Sequence, residues 1–394
     1  MRGTRDNKTA LLLAAVCFWF AQYVYIPFQT PYLIAMGVTS RAVGAVVGAY
    51  GVSQMLLRLP VGVLADTGGT HKRQIVAGCL ASGAASLVRL ALDSGGGYFL
   101  ANLLSGLASA MWISFMVLYM SYYAGEEQQA ATSDLILCNN LGILLGFGAS
   151  TLCYDRLGMR AVCAFSVAAG VLGMLSALRL EEAPAAPRAL RPGALLGVCK
   201  NKRLLLFSCL ALIQQGVQLS TTMSFTTQIV RDLGASTAMV GASSIVYMLV
   251  AVSSAKFAAS RLCARLGARF WVPVIFGAMA AYCLLVPRIG SVAGICALQV
   301  IPGLASGIQY TYLTAGAMQQ IPPEKKSTAM GCYQAVYALG MTVLPVLCGQ
   351  AAERTSMKDA YFLLACVCAA GMAAAGCYGF GERRNKRYHL TKGV

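Results

Sequence analysis

The chain has 394 residues, 58% of them apolar and only 11% charged, with a mean hydropathy of +0.65. A soluble domain carries about 25% charged and 45–50% apolar residues. The composition therefore excludes a water-soluble globule and requires a bilayer, which demands apolar surface outside as well as inside. The net charge of +17, from 31 Lys and Arg against 14 Asp and Glu, would suit nucleic acid only if gathered on one face with aromatics; it is instead scattered over short connections between apolar runs, which excludes that partner.

Those runs are too long and too uniformly apolar for membrane β-strands. They predict an all-α integral membrane protein of about twelve transmembrane helices, each using about 20 residues to cross a ~30 Å core. In chain order the spans are expected near 10–35, 42–65, 74–92, 98–123, 131–153 and 160–180, then 204–230, 238–259, 270–287, 292–319, 328–350 and 360–381. The opening MRGTRDNK leads into the first apolar run with no small-residue cleavage site, so it reads as the start of span one and not as a signal peptide.

Span one carries Gln22, Tyr23, Tyr25 and Gln29, with Pro27 and Pro31 interrupting its hydrogen-bond ladder. Arg58 precedes Pro60 near the end of span two, and Arg89 lies near the end of span three. Both are expected to snorkel toward lipid headgroups, although Arg58 could pair with Asp66 and Arg89 could attract an anion. Span four has Trp112 and Tyr119. Span five has Asp134 about one turn in, then Asn139 and Asn140. Span seven is the most polar, with Gln214, Gln215, Gln218, Thr221, Thr222 and Gln228. Span ten has Gln309, Tyr310 and Tyr312, and span eleven Gln334 and Tyr337. No acid falls at an expected midplane, and the only histidines are His71 and His389, so an intramembrane enzyme or a metal site is poorly supported. The 15 cysteines fall mostly within apolar runs and read as small packing residues.

The chain resembles itself at an offset of half its length. GLAS at 106–109 recurs at 303–306; Phe28, Thr30, Gly37, Gly44 and Tyr50 recur as Phe225, Thr227, Gly234, Gly241 and Tyr247; with one inserted residue, Gly142 and Met159 recur as Gly340 and Met357. A common offset, kept in order, implies a duplicated bundle: an N-terminal half at 1–180, a Pro-rich basic linker at 181–203 holding Pro184, Pro187 and Pro192, and a C-terminal half at 204–394. With twelve spans, 22 basic residues fall on the side of the termini and 7 on the other. The positive-inside rule then puts both termini in the cytoplasm.

Between spans two and three runs Gly62-Val-Leu-Ala-Asp66-Thr-Gly-Gly69-Thr-His-Lys72-Arg73. A Gly, an Asp four later, a Gly three after that and then basic residues resembles the signature loop of the major facilitator superfamily. Here Thr67, Thr70 and His71 stand at positions usually basic. The stretch from Lys256 to Arg269 in the second half keeps Gly267 but has no carboxylate. In span five, Phe147 stands among Gly142, Gly146 and Gly148 where antiporters of that family often carry a Pro, so antiport is not inferred. With twelve spans, the 6+6 repeat and the central linker, the resemblance covers the whole chain.

The resemblance implies two pseudo-symmetric six-helix bundles, and a cavity lined by spans 1, 4, 7 and 10, where the polar residues concentrate. It also implies a contact of Asp66 with the start of span eleven, near Ser327–Gly331, that helps hold one conformational state. Gln22, Gln218 and Tyr310 are expected to face the cavity. The implied function is secondary transport of a small-molecule substrate by alternating access. Export of a drug-like or small polar metabolite is the first reading, uptake the second, and a lipid flippase or membrane sensor a rival of another class. A monomer in a bacterial plasma membrane, with proton or ion coupling possible and no cofactor, completes the expectation. No phosphate-cradling G-x-x-x-x-G-K-[ST] sequence occurs.

Overall fold

The computed structural model describes residues 2–67, 71–123, 128–181 and 192–391. Gly69 and linker residues 182–191 lie outside the described residues, as do the side chains of the tail from 378 onward. Eleven helices among the described residues are long and apolar enough to cross a membrane. One of them, Thr132–Leu178, runs 47 residues, about 70 Å at 1.5 Å per residue and more than twice a ~30 Å hydrocarbon core. Its helix bends at Gly158, where φ is 72° and ψ −179°, so it makes two crossings and the total is twelve.

The spans are α1 (Asp6–Ala35), α2 (Ser40–Asp66), α3 (His71–Ala91), α4 (Gly95–Ser121), α5 (128–157), α6 (159–178), α7 (Lys202–Asp232), α8 (Thr237–Ala258), α9 (Ala268–Arg288), α10 (Val292–Met318), α11 (Lys326–Arg354) and α12 (Met357–Thr391). Between α6 and α7 the described part of the linker forms a short helix, Pro192–Leu196, and a 3₁₀ turn, Gly197–Lys200. Cys199 in that turn has its thiol drawn down to about 7 by a hydrogen bond with Cys332. Span ends alternate between two faces, named here the Asp66 face and the Asp93 face after the loops that carry those residues.

The Gly158 bend is a backbone requirement. A Cβ there would touch nothing within 4 Å, but its dihedrals lie in a region essentially reserved for glycine. Gly158→Ala should therefore cost about 1–3 kcal/mol through conformation alone and lower the thermal unfolding midpoint; an unmoved midpoint would mean that the bend is not fixed.

The duplication is visible at single hydrogen bonds. Thr39 caps α2 by accepting from Ala42 N at 3.3 Å, and Ser236, 197 residues on, caps α8 by accepting from Met239 N at 3.3 Å. Ser94 caps α4 and Ser291 caps α10 in the same way, at 3.2 and 3.3 Å. Tyr50 donates to Ser109 Oγ at 2.9 Å, and its counterpart Tyr247 pairs with Ser306 Oγ at 2.9 Å. Gly37 and Gly234 turn equivalent loops with φ of 82° and 80°.

The four spans expected to line a cavity are the ones whose helices are interrupted near mid-membrane. α1 breaks at Val24–Tyr25, where Pro27 cannot donate to the Tyr23 carbonyl. α4 breaks at Met111, whose N–H reaches back only to Ala108 O. α7 widens into a π-turn over Thr221–Phe225, and α10 breaks at Gln299, before Pro302, and widens over Ala305–Gln309. The breaks obey the repeat: Val24 maps to Thr221 and Met111 to Ile308. Such irregular turns concentrate where a helix must bend or receive a ligand.

Candidate functional site

The halves meet chiefly along α2 and α11, at both faces. At the Asp66 face, Asp66 Oδ2 accepts from Thr328 N at 2.7 Å and from Thr328 Oγ1 at 2.7 Å, and Oδ1 accepts from Ser327 N at 3.3 Å. The carboxylate is 2% exposed and sits at the positive end of α11. At the Asp93 face, Arg41 N donates to Glu353 Oε2 at 2.8 Å and Thr30 Oγ1 pairs with Ser224 Oγ at 2.9 Å. Glycines let the backbones close: a Cβ on Gly44 would lie 2.3 Å from Pro345 O, and one on Gly62 2.5 Å from Ser327 O. Of the other signature residues, His71 is buried, whereas Lys72 and Arg73 are not.

Between these contacts lies a cavity of about 20 Å³, room for about one water. Its polar wall comes from the first half: Gln22, Tyr23, Tyr25 and Gln29 of α1, Tyr50 of α2 and Asn102 of α4; Leu219 and Met223 of α7 close it from the second. Gln22 Nε2 donates to Ser105 O at 2.9 Å, and Tyr25 OH pairs with Ser105 Oγ at 3.3 Å. The side-chain oxygens of Gln22 and Gln29 are buried and have no hydrogen-bond partner. A cavity wall with orphaned acceptors is suited to a solute that brings donors.

The other expected residues are placed elsewhere. Trp112 belongs to an aromatic cluster with Phe18, Trp19 and Phe115, and Tyr119 pairs with Tyr123 OH at 2.9 Å. Asn139 and Asn140 are half-buried on α5, the former with an unpartnered oxygen, and Asp134 is exposed. Gln214 donates to Gln218 Oε1 at 2.8 Å, Gln218 donates to Tyr247 OH at 2.5 Å, and Thr222 reaches Gln299 at 3.5 Å. Gln309 points back into its own half, toward Val272 O at 3.4 Å. Tyr310 and Tyr337 meet edge to face at 6.5 Å. None of these lines the closed cavity.

Two expectations are corrected. Arg58 and Arg89 do not snorkel to headgroups: they are 3% and 1% exposed. Arg58 does not pair with Asp66 either. Its guanidinium donates to Gln54 Oε1, to Ser109 Oγ at 3.1 Å and, across the seam, to Gln334 Oε1, with the Tyr337 ring 5.7 Å away. Arg89 donates to Ser86 Oγ at 3.0 Å, Asn102 Oδ1 at 2.6 Å and Ser105 Oγ at 3.1 Å, and lies over the Tyr25 ring at 3.7 Å. The physical reason is supply: α2, α3, α4 and α11 offer inward-facing neutral acceptors to both guanidiniums, so neither need reach water. Asn102 and Tyr50 are cavity residues that the sequence does not single out as such, although the repeat pairs Asn102 with Gln299 and Tyr50 with Tyr247.

Twelve membrane helices in two repeated halves, with interrupted helices around a small central cavity, define the architecture of a membrane transporter. The chain belongs to the Major Facilitator Superfamily, whose family model matches residues 11–228 and 207–393. Two uncharacterized MFS-type transporters of Mycobacterium tuberculosis, from strains CDC 1551 / Oshkosh and ATCC 25618 / H37Rv, are 29% identical over 187 residues. That match covers 46% of this chain and 43% of each relative, so the aligned stretch spans under half of their length. Among solved structures, the nucleoside transporter NupG superposes with a TM-score of 0.74 at 15% identity, covering 96% of this chain and 99% of that one. A mutant of the same transporter gives 0.75, also at 15% identity, covering 95% and 99%. At that identity the likeness is one of fold.

Proposed function

We propose that the chain carries a small polar organic solute across a bacterial plasma membrane by rocking its halves about the cavity at Gln22, Tyr25, Gln29 and Asn102. The reading has the termini in the cytoplasm and one chain as the working unit. The observation that carries it is the small cavity, with polar side chains in its wall, between two seams of hydrogen bonds and glycine contacts, one at each face. Either seam can part while the other holds, which is what alternating access requires. Against a lipid flippase stands the position of the open apolar groove at Leu249, Val250, Phe257 and Leu304, which lies within the second half and not between halves.

Export of a small polar metabolite is the direction the sequence resemblance favours. Uptake is the second reading, supported by the fold shared with a nucleoside transporter and by the amide-rich wall. Coupling to protons would have to use a group other than a midplane carboxylate.

The test is counterflow in proteoliposomes across a panel of radiolabelled nucleosides, sugars and organic acids, with and without a pH gradient. Flux above that of empty liposomes is expected for at least one solute, and flux for none would sink the reading. Gln22→Ala should reduce that flux about tenfold at unchanged expression, since it removes a wall amide worth about 1–2 kcal/mol to a bound solute. Gln309→Ala, which alters a residue turned away from the cavity, should have little effect.

A further inference from the structure

We infer that the solute is a small hydroxylated oxyanion, a carboxylate or phosphate monoester, and that Arg89, with Arg58 beside it, supplies the positive charge that selects it. This rests on the carrier reading and narrows its substrate class.

The observation is a pair of buried charges without counter-ions. Arg58 and Arg89 are both almost wholly buried, and every hydrogen-bond acceptor they meet among the described residues is neutral: Gln54, Gln334 and Ser109 for one, Ser86, Asn102 and Ser105 for the other. Neutral acceptors satisfy N–H groups without cancelling charge. A lysine could shed its proton at such depth, but a guanidinium cannot. Neither guanidinium makes an ion pair among the described residues: the carboxylate of Asp66 bonds Ser327 and Thr328, and that of Asp93 bonds Tyr32 OH at 2.8 Å. The serines that meet the two guanidiniums, Ser105 and Ser109, are one turn apart on the same side of α4, so the two charges reinforce each other.

The scaffold does not need these arginines. The repeat that preserves the caps, the helix breaks and the Tyr–Ser pairs puts Ala255 at the counterpart of Arg58 and Val286 at the counterpart of Arg89. Even the bond from Asn102 Nδ2 to Val46 O at 2.8 Å has its twin, from Gln299 Nε2 to Ser243 Oγ at 2.8 Å, but there Gln299 accepts from Tyr282 OH where Asn102 accepts from the guanidinium. The second half builds the same corner without a charge.

Both charges adjoin the cavity. Asn102 and Tyr25, two of its walls, are direct partners of Arg89, and Tyr50, a third, shares Ser109 with Arg58. Arg89 Nε is buried with no acceptor at all. Rotation of the Asn102 amide leaves the Arg89 fork facing the cavity, where a two-oxygen anion meets it in bidentate fashion. The ten-residue segment Ile26–Ala35 begins at the same level, its positive end toward the cavity. The unpartnered oxygens of Gln22 and Gln29 then receive hydroxyl protons from the same solute.

The test uses charge-matched probes in proteoliposome counterflow: gluconate and glucose 6-phosphate against neutral glucose and uridine. Wild-type protein should exchange at least one of the anions about tenfold or more faster than either neutral probe. Gluconate alone, or glucose 6-phosphate alone, identifies the carboxylate or the phosphate as the recognised group. Arg89→Gln should erase the preference by slowing the anion about tenfold more than it slows the neutral probes, and Arg89→Lys, which loses the two-pronged fork, should keep only part of it. Exchange of glucose or uridine with no anion preference overturns the inference and leaves the carrier intact, as does an equal slowing of both classes by Arg89→Gln. Absence of flux for all four probes overturns the oxyanion assignment, and the carrier reading falls only if the wider panel is silent too. If Arg89→Gln fails to fold, wild-type selectivity between the matched probes decides alone.

Discussion

Asp66→Asn should unlatch the Asp66 face. The wild-type carboxylate offers two oxygens to three donors on Ser327 and Thr328, all at or beside the first turn of α11. The amide keeps one acceptor oxygen, turns a donor toward one of the two backbone N–H groups and removes the charge that complements the helix end. A buried donor left unmatched costs about 1–3 kcal/mol, and the lost charge–dipole contact adds about 0.3–1 kcal/mol. Together they shift the balance between closed and open seam by on the order of 10²-fold. Peptides spanning 326–334 should then exchange amide hydrogens far faster in Asp66→Asn, while those at the far end of α11 should not change. Transport should fall with the shift. Equal exchange in variant and parent would mean that the Asp66 contact is not a latch.

Gly44→Val and Gly62→Val should bias the protein in opposite directions. Both glycines lie on the side of α2 that meets α11. A Cβ on Gly62 falls 2.5 Å from Ser327 O and 3.3 Å from Gly331 Cα, and one on Gly44 falls 2.3 Å from Pro345 O and 3.2 Å from Gly349 Cα. These are backbone atoms, which cannot swing aside as a side chain would, so each valine wedges its own end of the seam. Overpacking of this kind costs about 1–3 kcal/mol or more. Gly62→Val should raise hydrogen exchange at 326–331 and spare 345–354, and Gly44→Val should do the reverse. Each should lower flux by about tenfold or more, because a cycle needs both ends to close in turn. Identical exchange patterns in the two variants would remove the two-seam mechanism.

Much of this architecture could be read from the residues. Hydropathy located the spans to within a few positions, because a helix in lipid has to be apolar over a fixed length. The repeat was legible through matches such as Gly37 and Gly234, whose shared left-handed turns explain why both stayed glycine. Pro27 marked the interruption in α1. Met111 carried no such mark, since α4 breaks without a proline.

The arginines were misread for a different reason. A lone Arg near a helix end has water as its default partner. Each arginine bonds one acceptor in its own span, Gln54 or Ser86, but burial is completed by Ser105, 16 residues on from Arg89, and by Gln334, 276 residues on from Arg58. Nothing within one span announces either contact. Gln309 failed in the opposite sense: its polarity suggested a cavity, but the π-turn over Ala305–Gln309 aims it into its own bundle, and a one-residue change in helical phase is invisible to spacing.

The twin Tyr–Ser pairs carry a practical consequence. Tyr50 and Tyr247 hold matched bonds of 2.9 Å in a shared architecture, yet only the first lies next door to a guanidinium. Each molecule thus contains its own control experiment. Deleting one phenol and then the other, in otherwise identical chains, subtracts the cost of the shared Tyr–Ser bond and leaves the charged neighbourhood and cavity place of Tyr50 set against the Gln218 bond of Tyr247.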